Sequence, residues 1–160
     1  MKVKKRGNQA KGLLYLTFVI FWGSAAWAQD SRPRAYVGSD ACVECHEVEH
    51  ENFTKYARKS HSFQSLQKMK KGLTSEELKE CYVCHTTGYG KPGGFVSLEQ
   101  TPELKNAGCE VCHGPAGRHV ETQDPDDLTV QVTIEICGTC HTQERVAAFR
   151  YKPMVHGGAH

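Results

Sequence analysis

Every cysteine in the chain belongs to one five-residue pattern, and the pattern occurs four times. The copies are Cys42-Val43-Glu44-Cys45-His46, Cys81-Tyr82-Val83-Cys84-His85, Cys109-Glu110-Val111-Cys112-His113 and Cys137-Gly138-Thr139-Cys140-His141. Cys-x-x-Cys-His suits covalent attachment of haem. Its two thiols lie about one helical turn apart, matching two vinyl groups on one porphyrin edge, and the next residue brings an imidazole under the iron. Paired cysteines also serve structural zinc or disulfide frameworks, but neither needs a histidine after the second cysteine. All four pairs have one. The expected cofactors are therefore four covalently attached haem c groups, with Cys42, Cys45, Cys81, Cys84, Cys109, Cys112, Cys137 and Cys140 as attachment points. His46, His85, His113 and His141 are the expected proximal iron ligands.

The elements that must position these motifs follow a segment that reads as a leader. Lys2, Lys4, Lys5, Arg6 and Lys11 form a basic start, residues 13–22 an apolar run, and Ala26-Trp27-Ala28 a small-residue cleavage site. The expected organisation is a signal peptide at residues 1–28 and one tetrahaem domain at 29–160, exported to the periplasm or beyond the cell. The apolar run is short for a membrane span, so no stable anchor is expected after cleavage. Of 20 basic and 18 acidic residues in the whole chain, five basic ones lie in the leader, leaving 15 against 18. The mature chain is mildly acidic, and nothing in it favours nucleic acid.

Four haems on the 132 residues left after removing 28 from 160 leave too little chain for an ordinary apolar core. The porphyrins themselves must be the core, which agrees with the mean hydropathy of −0.53. The expected fold is mostly α with long loops. Ser39 or Asp40 should cap a helix that carries the first motif and runs to about Lys59. Another should cover 64–71 and break at Gly72. Thr74-Ser75-Glu76-Glu77 is a capping box that opens a helix into the second motif. The glycine-rich run 86–95 fits either tight turns with close approach of backbone to a haem face or a solvent loop. Thr101-Pro102-Glu103 is a helix start that should deliver the third motif. Leu128, Val130, Val132, Ile134 and Ile136 alternate with polar residues, so this stretch reads as extended, as a short strand or irregular. After the fourth motif, a helix should run to about Tyr151.

Five histidines remain: His50, His61, His119, His156 and His160. Five spare imidazoles beside four haems favour bis-histidine ligation and low reduction potentials. Met69 and Met154 are the methionine alternatives. His50 is four residues from His46 on the same helix face, cannot reach the far side of that haem, and reads as a surface residue.

Ser60-His61, the run Cys84-His85-Thr86-Thr87-Gly88-Tyr89, Gly93-Gly94-Phe95 and the run from Gly108 to His119 together resemble the cytochrome c-554 family of tetrahaem cytochromes. That family carries electrons from hydroxylamine oxidoreductase in ammonia oxidisers, and related tetrahaem chains form extracellular conducting filaments. The resemblance implies that His119 pairs with His46 across the first haem and His61 with His113 across the third. It also implies an open position on the second haem, at His85, and His156 as partner of His141. His160 is either a free terminus or a ligand to the second haem, in this chain or a neighbour.

These readings converge on an electron carrier between a quinol-linked or oxidoreductase donor and a downstream cytochrome or reductase. Two other classes stand beside it. One is a haem enzyme reducing a small nitrogen oxide at an open iron, for which only Thr86, Thr87 and Tyr89 near His85 could assist acid-base chemistry. The other is a homo-oligomer or filament in which a histidine of one subunit completes a haem of the next.

Overall fold

The computed structural model describes residues 34–142. These residues form short helices joined by long connections, with no β-strand among them. In chain order the α-helices are α1 (Glu47–Tyr56), α2 (Phe63–Met69), α3 (Ser75–His85), α4 (Glu110–His113), α5 (Gly117–Thr122) and α6 (Ile134–Gly138), with 3-10 turns between them. No helix of the described residues is long and apolar enough to cross a membrane.

Helix α3 follows directly from its capping box. The Thr74 hydroxyl accepts the Glu77 N–H, and the Glu77 carboxylate accepts the Thr74 N–H at 2.8 Å. Two of the helix's orphan donors are satisfied at once, and the acids at Glu76 and Glu77 suit the positive end of its dipole. The helix ends at His85 because Thr86 is extended.

Three expected elements differ. The helix expected from Ser39 or Asp40 to Lys59 is a 3-10 turn at Ser39–Cys42, a turn through the first motif, and then α1. His46, at φ −122°, leaves the helical region and becomes the N-cap of α1. The chain after Thr101 makes only the 3-10 turn Pro102–Leu104, because tertiary bonds hold it there. Leu104 is buried and its carbonyl accepts the Thr87 N–H at 2.9 Å, while the Asn106 side chain accepts the Phe63 N–H. The alternating run after Leu128 is no strand: it is irregular to Thr133 and helical from Ile134. The Thr129 backbone bonds His113 instead of a neighbouring strand. The helix expected to reach Tyr151 lies outside the described residues beyond 142.

The polypeptide core is small. Phe63, Leu66, Phe95 and Leu104 are buried together, with Tyr36, Leu78, Tyr82 and Tyr89 packed against them. Tyr82 meets Phe95 and Tyr89 edge-on, both at 5.2 Å between ring centroids. The glycine-rich run closes over this cluster by folding on itself, with Phe95 donating to the Thr87 carbonyl and Gly94 to the Lys91 carbonyl. A side chain on Gly94 would collide with the Gly88 carbonyl, and one on Gly88, at φ +70°, with the Tyr36 ring. Self-crossing therefore accounts for these two glycines, within the tight turns that the run was expected to make.

Candidate functional site

Each of the four motifs closes a helical turn. The histidine N–H donates to the carbonyl of the first cysteine at 2.9 Å in the first motif, 3.1 Å in the third and 2.9 Å in the fourth. The second motif is the last turn of α3. Both sulfurs of every pair thus leave one turn of backbone with the imidazole just beyond them, the layout that thioether attachment needs. None of the eight cysteines is in a disulfide. Val43 and Val83, inside the first two motifs, and Val120, beside His119, are 38 %, 56 % and 47 % exposed to solvent on the polypeptide alone. Apolar side chains at such places suit a porphyrin face.

His46 and His119 face each other with ring centroids 6.2 Å apart and planes inclined by 26°. Imidazole nitrogens about 2 Å to either side of one metal ion put the ring centroids about 6 Å apart, close to the separation of these two rings. The residues come from distant parts of the chain, one preceding α1 and the other within α5.

Several rings are held from behind by backbone carbonyls. His85 Nδ1 lies 3.0 Å from the Ser62 carbonyl, His113 Nδ1 2.8 Å from that of Thr129, and His119 Nδ1 2.9 Å from that of Asp124. A carbonyl can only accept, so Nδ1 carries the proton in each ring and Nε2 keeps its lone pair for a metal. His61 is turned the other way: its Nε2 lies 3.1 Å from the Thr54 carbonyl, which leaves Nδ1 as the lone-pair nitrogen. Burial and the nearby Lys59 cation hold the His141 imidazolium below the usual histidine range, favouring the neutral form that a metal takes. His50 sits 3.7 Å from the Asp40 carboxylate, and its backbone N–H donates to the His46 carbonyl at 2.9 Å. His156 and His160 lie outside the described residues.

The motifs are also neighbours. The Cys42 and Cys109 side chains interact, which pulls the Cys109 thiol down to about 6 and pushes that of Cys42 up. The first and third motifs therefore meet at their sulfurs. Cys112 feels the charges of Cys137 and Cys140, so the fourth motif adjoins the third. The second is tied to the third through Ser62, whose hydroxyl donates to the His85 carbonyl at 2.8 Å and accepts the Ala107 N–H at 2.9 Å.

Two supporting groups escaped the sequence reading. The Glu110 carboxylate, inside the third motif and 3 % exposed, accepts N–H groups from Val37, Gly38 and Ala116. It thereby joins the lead into the first motif, α4 and the start of α5. The carbonyls of Ser62, Asp124 and Thr129 are the other group, and a main-chain acceptor leaves no mark on residue type.

Residues 41–114 match the family described as cytochrome c554 and c-prime. Cytochrome c-554 of Nitrosomonas europaea is 32 % identical over 92 residues, which cover 50 % of this chain but only 38 % of that protein. The structure of the reduced state of cytochrome c554 from Nitrosomonas europaea superposes with a TM-score of 0.54 at 22 % identity, covering 76 % of this chain and 81 % of that one. In sequence across its first three motifs, and in fold across most of its length, this chain resembles the cytochrome c554 family.

Proposed function

We propose that the mature chain, residues 29–160, is an exported tetrahaem c-type cytochrome that relays electrons between a respiratory donor and an acceptor. The observation that carries the reading is the 6.2 Å separation of the His46 and His119 rings, two imidazoles brought together from distant segments. Bound haem iron would supply the one-electron chemistry. The chain's own residues do the rest. The eight cysteines would anchor the groups, and His46, His85, His113 and His141 would each supply an imidazole to one iron. His119 would be the distal partner of His46, His61 that of His113 and His156 that of His141, while the second haem, at His85, either keeps an open position or takes His160. The Cys42–Cys109 contact and the nearness of Cys112 to the fourth motif support a path from the first motif through the third to the fourth.

An electron relay is favoured over a reductive enzyme by what surrounds His85. The Thr86 hydroxyl donates to the Tyr82 carbonyl, the Thr87 hydroxyl donates to the Asn106 carbonyl, and both side chains are buried. Tyr89 packs edge-on against Tyr82. The groups that acid-base chemistry would draw on are already used by the fold.

Removal of residues 1–28 on export to the periplasm, a mildly acidic surface and redox-protein partners complete the proposal. Its test is the intact mass of the chain produced with a c-type haem maturation system in an exporting host. The expected product lacks residues 1–28 and carries four haems, with a haemochrome absorbance of the same stoichiometry. A bare polypeptide, or a product binding zinc in place of haem, would sink the reading.

A further inference from the structure

Residues 122–129 touch two imidazoles that the proposed ligation assigns to different haems. His119 donates to the Asp124 carbonyl at 2.9 Å, and His113 donates to the Thr129 carbonyl at 2.8 Å. Thr129 returns its N–H to the His113 carbonyl at 2.9 Å. Between the two acceptors lies the 3-10 turn Pro125–Asp127, capped by the Asp124 side chain, which accepts the Asp126 N–H at 3.0 Å.

That turn is fixed to α5 by one buried carboxylate. Asp127 Oδ1 accepts from Arg118 Nε at 2.8 Å and Oδ2 accepts the Thr122 hydroxyl at 2.8 Å. Its side chain is 10 % exposed, and Arg118 is the residue before His119. Thr122 also accepts the Asp124 N–H, so the residue that presents the first carbonyl is held through the same hydroxyl.

We propose that Asp127 is a positioning residue for two irons at once. By locking the turn onto α5 it sets the directions of the Asp124 and Thr129 carbonyls, and through them the ring planes and basicity of His119 and His113. This rests on the proposed ligation of those two histidines. The pattern couples a distal ligand of one haem to the proximal ligand of another, so a disturbance at Asp127 reaches the first and third haems and spares the second and fourth.

The test compares the haem-loaded mature protein with its Asp127→Ala, Asp127→Asn and Arg118→Gln variants by low-temperature electron paramagnetic resonance and optical redox titration. His119→Ala tests the ligation separately, since it should turn about one quarter of the iron high-spin. Were that variant spectroscopically silent, the ligation reading would fail whatever Asp127 does. With Asp127→Ala, the low-spin signals and midpoint potentials of two haems should shift while the other two stay put. Asp127→Asn should give a smaller shift of the same two, because it keeps an acceptor for Thr122 and loses the charge facing Arg118. Unchanged spectra, or equal movement of all four haems, would overturn the proposal. Should Asp127→Ala fail to take up four haems, the half-exposed Arg118→Gln decides by the same two criteria.

Discussion

Ser62 and His85 bond each other twice: the serine hydroxyl donates to the histidine carbonyl at 2.8 Å, and the imidazole Nδ1 donates to the serine carbonyl at 3.0 Å. The pairing fixes the end of α3 and the ring of the second motif with one residue from the start of α2.

Ser62→Ala removes the hydroxyl and leaves the His85 carbonyl and the buried Ala107 N–H without their partner. Each orphaned buried group costs about 1–3 kcal/mol, so a loss of about 2–4 kcal/mol is expected in denaturant unfolding of the haem-loaded protein. The bond to the imidazole runs from the Ser62 carbonyl, so the spectrum of the second haem should change little. A large spectral change with stability intact would reverse the roles assigned to these two bonds.

Glu110 should be the most damaging single carboxylate to remove. Its truncation strands three backbone donors, those of Val37, Gly38 and Ala116, at a site only 3 % exposed. Glu110→Ala is expected to destabilise by about 3–5 kcal/mol or to prevent maturation, with Glu110→Gln milder because its amide oxygen still accepts. A loss below about 1 kcal/mol for the alanine variant would mean that water replaces the carboxylate.

The capping box of α3 should show in the acid limb of the stability curve. The Thr74 N–H, and then its hydroxyl, hold Glu77 below the model carboxylate value of 4.5. A carboxylate depressed in the folded state adds stability that is fully present above its unfolded value and disappears as pH falls through the folded one. The denaturation midpoint of the parent should therefore exceed that of Glu77→Gln at neutral pH, with the gap closing below about pH 4.5. A gap that stayed undiminished as pH falls through the acid range would place the effect in packing.

Glycine substitutions separate two kinds of constraint in the 86–95 run. A Cβ on Gly94 meets the Gly88 carbonyl, whereas Gly90, at φ +78°, has nothing within 4 Å of its would-be Cβ. Gly90→Ala should cost about 1 kcal/mol from conformation alone. Gly94→Ala must displace backbone and should cost upwards of about 3 kcal/mol. Equal thermal midpoints for the two variants would show that the loop can open.

The motifs and the box at Thr74 were legible because their signals are local: fixed spacing in one case, a side chain reaching three residues in the other. The helix expected through the first motif was misplaced because propensity carried the pattern across His46, while the backbone there turns to start α1. The alternation after Leu128 left a strand and an irregular path both open, and the irregular one holds to Thr133. Period-two spacing marks an extended chain, but whether it joins a sheet depends on a partner, and Thr129 is bonded to His113. The packing of Phe63 and Leu66 on Phe95 and Leu104 is tertiary and leaves no periodic trace in the sequence. His119 was reached only through resemblance, since a histidine in Gly-Arg-His-Val has no spacing to a motif that geometry alone could interpret.

The His46 and His119 rings also bear on how the chain is held together. In the proposed centre they would be joined through one metal, closing a loop from residue 46 to residue 119. Such a closure acts on the unfolded chain as a covalent tie would, restricting the conformations open to 73 residues. By the loop-entropy relation used for disulfides, it is worth about 4 kcal/mol. The ligand pair would thus replace part of the apolar interior that so small a polypeptide core lacks.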